Sequence, residues 1–296
     1  MAPSRIALVT GATQGLGRAL VEGLAAQMRP DDHVLLTGRD SGRVAVEADR
    51  LAGIGAHVHG RVLDVTDTVS VQATADAIAA EYGGVDIVIS NAGARMSPQR
   101  TPAEQIDLVA ETYNFGAIRM LRSFGPILRP GGRFLVVASA FGTLGHLDPS
   151  LRSRFDQARS LADIEAVVAA WRAAVHDGSA ASQGWPTWLN IPSKVAQVAA
   201  VRVVAAQRRE RDLAYGTLVA AVCPGLIDTP ASRPWFTDMS KAQTPERAAV
   251  GVLDLVLAPT PDPATYGELV QFGKVLPWRA EIAPAAQAAL RVVPAG

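Results

Sequence analysis

Residues 10–17 read Thr10-Gly11-Ala12-Thr13-Gln14-Gly15-Leu16-Gly17. An apolar run, Ile6-Ala7-Leu8-Val9, precedes them and a helix-like stretch follows. Glycines placed between a strand and a helix start suit one kind of chemistry, the binding of anions. The first N–H groups of a helix have no partner within it, and the helix dipole adds positive potential at the same end. Glycine lets a pyrophosphate approach the backbone and lets the helix pack close to the strand. The second apolar run ends at Gly38-Arg39, with Arg43 about one helical turn further on. An acidic side chain there would bond a free ribose 2′-hydroxyl, whereas guanidinium groups would pair with a 2′-phosphate. The pattern predicts NADP(H) rather than NAD(H).

Such a turn works only if a sheet holds it. Apolar, β-branched runs at 5–10, 33–37, 57–63, 85–90, 133–138, 217–222 and 268–272 alternate with helix-like segments at 15–28, 42–51, 69–81, 102–128, 193–210 and 245–257. The runs are apolar on both parities, as strands covered on both faces are. The alternation predicts an α/β Rossmann-type fold, a doubly wound parallel sheet of about seven strands with helices on both faces. Ligands then bind beyond the C-terminal strand ends, near the point where strand order reverses. One domain over residues 1–296 is expected, with a helical insertion at about 146–188. In the insertion, Leu161, Ile164, Val167, Val168 and Trp171 recur at helical spacing. Residues 226–244, with Pro230 and Pro234, are expected to form a substrate lid.

Composition excludes several functions. Lys plus Arg and Asp plus Glu are both 28 in 296 residues, with no basic block, so a nucleic-acid partner is not expected. A single cysteine, Cys223, excludes an intramolecular disulfide, and the five histidines form no metal-ligand grouping, so no metal is expected. There is no signal-peptide pattern and no apolar run of membrane-spanning length, which predicts a soluble cytoplasmic protein.

Asp64-Val65 and Asn91-Ala92-Gly93 follow the third and fourth apolar runs. With the turn at 10–17, Ser139, Lys194 and Pro224-Gly225, they resemble the short-chain dehydrogenase/reductase family, in family order from about residue 5 to 272. The long insertion and Gly184-Trp185-Pro186 resemble the carbonyl reductase branch, which implies an NADPH-dependent, often monomeric, reductase of ketones and quinones. The resemblance implies that Gly11, Thr13, Gln14, Gly15, Leu16 and Gly17 hold the pyrophosphate. It implies that Asp64 and Val65 meet the adenine, and that Asn91, Ala92 and Gly93 lie near its ribose. It also implies that Lys194, Pro224, Gly225, Ile227 and Thr229 surround the nicotinamide end.

Two positions depart from the family pattern. The resemblance implies a proton-donating tyrosine four residues before Lys194, a serine that orients the carbonyl, and an asparagine in the preceding long helix. Ser139 and Lys194 are present, but Asn190 stands where the tyrosine is expected, and no tyrosine occurs between Tyr113 and Tyr215. Tyr113 stands three residues before Gly116, where the asparagine is expected, with Asn114 next to it. The preferred reading is an exchange of Tyr and Asn, and Asn114 takes the family role if the helix register slips by one. An amide can stabilise an oxyanion but cannot release a proton near neutral pH.

Three replacements follow. Tyr113 could reach the site with its phenol acidified by Lys194. His146 could protonate the product. Or the reduced anion of a quinone or extended enone needs no acid. Phe141, Trp188, Trp235 and Phe236 fall where a flat substrate would lie, whereas Trp185 is expected in the core. The function expected is NADPH-dependent reduction of an aromatic carbonyl or quinone, with Ser139, Asn190, Lys194 and Tyr113 as catalytic residues and the protein a monomer. The alternative is a non-redox NADP(H)-binding module, cyclase or isomerase.

Overall fold

Short apolar runs become the strands, and Asp, Ser or Thr side chains cap several of the helices. The computed structural model describes residues 3–281. The Ala-rich tail from Pro284 lies outside them. Eight strands form one sheet in the order β3-β2-β1-β4-β5-β6-β7-β8. They are β1 (Ile6–Val9), β2 (His33–Gly38), β3 (His57–Val62), β4 (Val85–Ser90), β5 (Leu128–Val137), β6 (Leu218–Cys223), β7 (Leu269–Gln271) and β8 (Lys274–Leu276). β1 to β7 are parallel, and β8 folds back antiparallel to β7. Strand order reverses between β1 and β4, which opens the ligand crevice beyond their C-terminal ends.

Helices cover both faces. α1 (Gly15–Gln27) and α2 (Ser41–Leu51) belong to the first two crossovers. α9 (Pro245–Leu257) packs against α1. On the other face α3 (Thr68–Tyr82) packs on α5 (Gly116–Phe124), and α5 packs on α8 (Asn190–Ala214). Asp40 caps α2 by accepting from Arg43 N, Asp67 caps α3 by accepting from Val69 N, and Thr244 caps α9 with Pro245 behind it. The core fills both sides of the sheet: Ala7, Leu8, Val34, Leu36, Ile87, Val88, Leu135 and Ala220 are all fully buried.

The structure departs from the sequence reading in four places. β8 is an additional strand, too short to read in sequence, and it exists by pairing with β7. β3 is an edge strand with no fully buried residue, not a covered one, because it ends the sheet. β5 begins at Leu128, and residues 129–132 are absorbed in a register break against β4.

The helix expected at 102–128 is divided. It comprises α4 (Ile106–Val109), a π-helical segment (Ala110–Phe115) and α5, and it ends before Gly125-Pro126, where proline stops it. The π turn holds one more residue than an α turn, so it rotates Tyr113 and Asn114 relative to the α5 face. The insertion forms α6 (Pro149–Asp156) and α7 (Leu161–His176), the latter opened by a Ser160/Asp163 capping box. No described helix is long and apolar enough to cross a membrane.

Candidate active site

The glycine turn joins β1 to α1 at the strand-order reversal. Gly11 has φ +63°, and a side chain on it would come within 2.8 Å of Ala92 Cα. A Cβ on Gly17 would lie 2.4 Å from Gly11 O. Only glycine permits this closeness. Thr10 locks the turn to β4: its hydroxyl accepts from the N–H groups of Asn91 and Ala92, each at 2.9 Å. Asn91 Nδ2 donates to Thr10 O at 2.9 Å. α1 has no capping side chain and no acidic residue in its first turn, so its leading N–H groups face the crevice with no protein acceptor supplied by a cap. The space beside Gly15 is open as far as Thr229 Cγ2, 3.9 Å from where a Cβ would be. A pyrophosphate fits such a cradle.

Cationic and acidic groups flank it. Arg39 is exposed at the end of β2 and has no hydrogen bond or ion pair among the described residues. Arg43 donates to Gln14 Oε1 at 2.9 Å, which draws its charge toward the glycine turn. Asp64 accepts through Oδ1 from Thr66 N and Thr66 Oγ1, which leaves Oδ2 for another donor. Across the crevice, Ile227 bridges to Gln243, and Asp228 N donates to Gln243 O at 2.8 Å. The two ends of the 226–244 loop are therefore tied together. Arg95, which the sequence reading missed, donates to Pro230 O and links this loop to the segment after Gly93. Pro224 and Gly225 follow directly on β6 at its ligand end.

Ser139 lies just beyond β5 and caps the short 3-10 turn Ala140–Gly142, its Oγ accepting from Phe141 N at 3.4 Å. Its hydroxyl proton remains free for a substrate oxygen. The turn sits directly on α8: a Cβ on Gly142 would lie 3.0 Å from Lys194 O. Ser139 and Lys194 are thus brought to one place by strand end and helix. Asn190 opens α8, half-buried, and its side chain makes no hydrogen bond among the described residues. Lys194 is buried. Its Nζ donates to Gln197 Oε1 at 2.7 Å and to Val137 O at 3.4 Å. Burial pushes its pKa down to about 7.

The structure corrects the idea of an acidified phenol. Tyr113 OH donates to Ala94 O at 2.8 Å, and Lys194 Nζ lies over the ring face, 4.2 Å from its centre, not at the oxygen. Burial pushes the phenol up to about 12. Asn114, not Tyr113, points into α8: its Nδ2 donates to Ser193 O at 2.8 Å, and its buried Oδ1 has no partner. The π turn explains this, since it shifts the register by one residue. His146 shares a 3.0 Å hydrogen bond with Thr143 Oγ1, and burial lowers its pKa, so it carries no proton to give as imidazolium at neutral pH.

An aromatic wall closes the entrance. Trp188 packs edge-on to Phe141 at 5.0 Å, tilted on Trp235 at 5.8 Å and edge-on to Phe236 at 6.1 Å. The indole N–H groups of Trp188 and Trp235 are buried without partners. Trp185 lies instead in the core against Trp171 and Phe155.

The family model described as short chain dehydrogenase matches residues 5–148. Carbonyl reductase (NADPH) 1 of Rattus norvegicus is 30% identical over 282 residues, which span 92% of this chain and 98% of the relative. The chain belongs to the short-chain dehydrogenase/reductase family. Carbonyl reductase (NADPH) 3 of Mus musculus is likewise 30% identical, over 93% of this chain and 99% of that one. Among solved structures, menthone neomenthol reductase from Mentha piperita superposes with a TM-score of 0.74 at 23% identity, covering 92% of this chain, a likeness of fold. Within this carbonyl reductase-like member of the short-chain family, the serine and lysine of the resemblance stand together, and the amide of Asn190 opens the helix that carries the lysine.

Proposed function

We propose that this protein is an NADPH-dependent reductase of a carbonyl or quinone group in an aromatic small molecule. Relatives bearing the carbonyl reductase (NADPH) name support the reaction class. The residues fit the cofactor. The cradle at Gly11, Thr13, Gln14, Gly15, Leu16 and Gly17 takes the pyrophosphate. Arg39 and Arg43 take the 2′-phosphate, and Asp64 takes the adenine amino group. Hydride from the nicotinamide is the chemistry the cofactor supplies when bound. Ser139 and Asn190 donate hydrogen bonds to the substrate oxygen and stabilise charge that develops there. Lys194 holds the nicotinamide ribose.

The aromatic wall carries the substrate reading. Phe141, Trp188, Trp235 and Phe236 offer ring faces, and two buried indole N–H groups await an acceptor. An aromatic carbonyl or quinone supplies both the flat surface and the oxygen atoms. The loop at 226–244, which brings Trp235 and Phe236 against Trp188, acts as the substrate lid. Monomeric state belongs to the same proposal: α7 packs over α8 and the π segment, faces that would otherwise be open to a second copy. So does a cytoplasmic location, which suits a free, buried Cys223.

Following NADPH absorbance with a quinone, an aromatic ketone and an aliphatic ketone tests the reading. Oxidation with the first two and little with the third is expected. Preference for the aliphatic ketone overturns the aromatic assignment. Tight NADPH binding with no oxidation by any acceptor overturns the reductase in favour of a non-redox role.

A further inference from the structure

We propose that Lys194 itself delivers the proton to the product oxygen, and that Gln197 positions its ammonium for that task. This rests on the reductase reading above. The family resemblance supplies no donor here, because Asn190 cannot release a proton and the Tyr113 hydroxyl is engaged by Ala94 O. The groups facing the Lys194 ammonium are neutral. Gln197 Oε1 on α8 accepts at 2.7 Å and Val137 O on β5 at 3.4 Å. The Tyr113 ring from the π segment lies at 4.2 Å. Cys223 on β6 interacts electrostatically with Lys194, and burial raises its pKa, which keeps the thiol protonated. No carboxylate pairs with Lys194 among the described residues.

A buried ammonium without a counter-charge is a strong acid for a lysine. Its pKa of about 7 matches what a proton donor needs near neutral pH. Gln197 is decisive because it is an amide. Itself only 3% exposed, it fixes Nζ by a hydrogen bond without adding the negative charge that would hold the proton in place. A glutamate there would fix Nζ equally well and make it a poor donor. Asn190 lies one helical turn before Lys194 on the same face of α8. Its side chain is shorter than a phenol, and in this proposal one water takes the place of the missing hydroxyl between ammonium and substrate oxygen.

The step balances. Hydride adds to the carbonyl carbon, and the C=O π pair becomes a lone pair on oxygen. An Nζ–H bond then breaks as the O–H bond forms, leaving a neutral amine still donating to Gln197. Lys194 regains its proton from solvent after the product leaves.

Lysine-selective 13C NMR reads this directly, because the chain has three lysines and the other two, Lys241 and Lys274, are exposed. In protein with NADPH bound, one lysine signal is expected to titrate about two or more pH units below the other pair. Q197E is expected to raise that midpoint by about one unit or more. The alkaline fall of kcat/KM for reduction is expected to shift with it. Q197M, which keeps the volume, should loosen the Lys194 signal without raising its midpoint.

A Lys194 midpoint equal to that of the exposed lysines overturns the proposal. A midpoint that moves in Q197E while the kcat/KM limb stays fixed overturns the donor role. If no acceptor oxidises NADPH, the donor role falls with the reductase reading, and the NMR titration still decides whether Gln197 sets the state of Lys194.

Discussion

The Nζ of Lys194 sits 4.2 Å above the centre of the Tyr113 ring, while the Tyr113 hydroxyl turns away to Ala94 O. The ring face is what the cation uses. Y113F keeps that face and removes only the hydroxyl. It is expected to retain kcat within about threefold and to lose roughly 1 kcal/mol of stability, read by denaturant melts. A hundredfold fall in kcat with NADPH affinity intact would make the phenol the acid after all.

Arg39 has no hydrogen-bond or ion-pair partner among the described residues at the end of β2, so its charge is available to a ligand. R39D is expected to weaken NADPH binding roughly 10- to 100-fold, as loss of a charge-assisted contact does, while NADH binding holds or improves. Fluorescence titration with both nucleotides checks this. Equal effects on the two would separate Arg39 from the 2′-phosphate.

His33, His57 and His59 stack at the β2–β3 edge beside Tyr82, and His33 Nδ1 meets His59 Nε2 at 3.0 Å. Burial pushes His59 below its ordinary 6.5, helped by His33, His57 and Arg61 and opposed by Glu81. Below that pH the unfolded chain binds more protons at this site than the folded one. Stability must therefore fall as pH drops from 6.5 through the lower folded value. Urea midpoints at about pH 7.5 and about pH 5.5 should show the loss, and H59N should reduce it.

Arg133 is 5% exposed and has no acidic partner among the described residues. It donates to the carbonyls of Gly131, Gly132, Gly216 and Ala258, binding the β5 entry to the ends of α8 and α9. R133M strands several buried carbonyls and is expected to destabilise the fold by roughly 3 kcal/mol or more. A thermal or urea melt unchanged from wild type would show that water replaces the guanidinium.

Phe272 has φ +49° in the β7–β8 turn and is 61% exposed. A left-handed conformation costs a non-glycine residue about 1–2 kcal/mol, and here little burial offsets it. F272N is expected to raise the melting temperature, since asparagine tolerates this region. A lower melting temperature would show that the ring stabilises the fold through its contact with the Gly225 segment.

The amino-acid sequence by itself determined the sheet, the glycine turn and the placing of the proposed cofactor residues at strand ends. These follow from local pattern: β-branched runs, glycines between strand and helix, and capping side chains each act within a few residues. It also determined that Asn190 stands where the family resemblance implies a phenol and that no tyrosine lies between Tyr113 and Tyr215, since residue identity needs no coordinates. The tertiary structure alone decided what remained. Whether Tyr113 or Asn114 faces α8 depended on one extra residue in a π turn, and Asn114 there bonds Ser193 O, far away in sequence. The short β8 exists only because β7 pairs with it. The state of Lys194 was hidden because its lowered pKa is a property of burial, and its hydrogen bond to Gln197, three residues on, is a matter of side-chain orientation. Nothing in the helical spacing says whether a polar side chain at that distance turns toward the lysine or away from it.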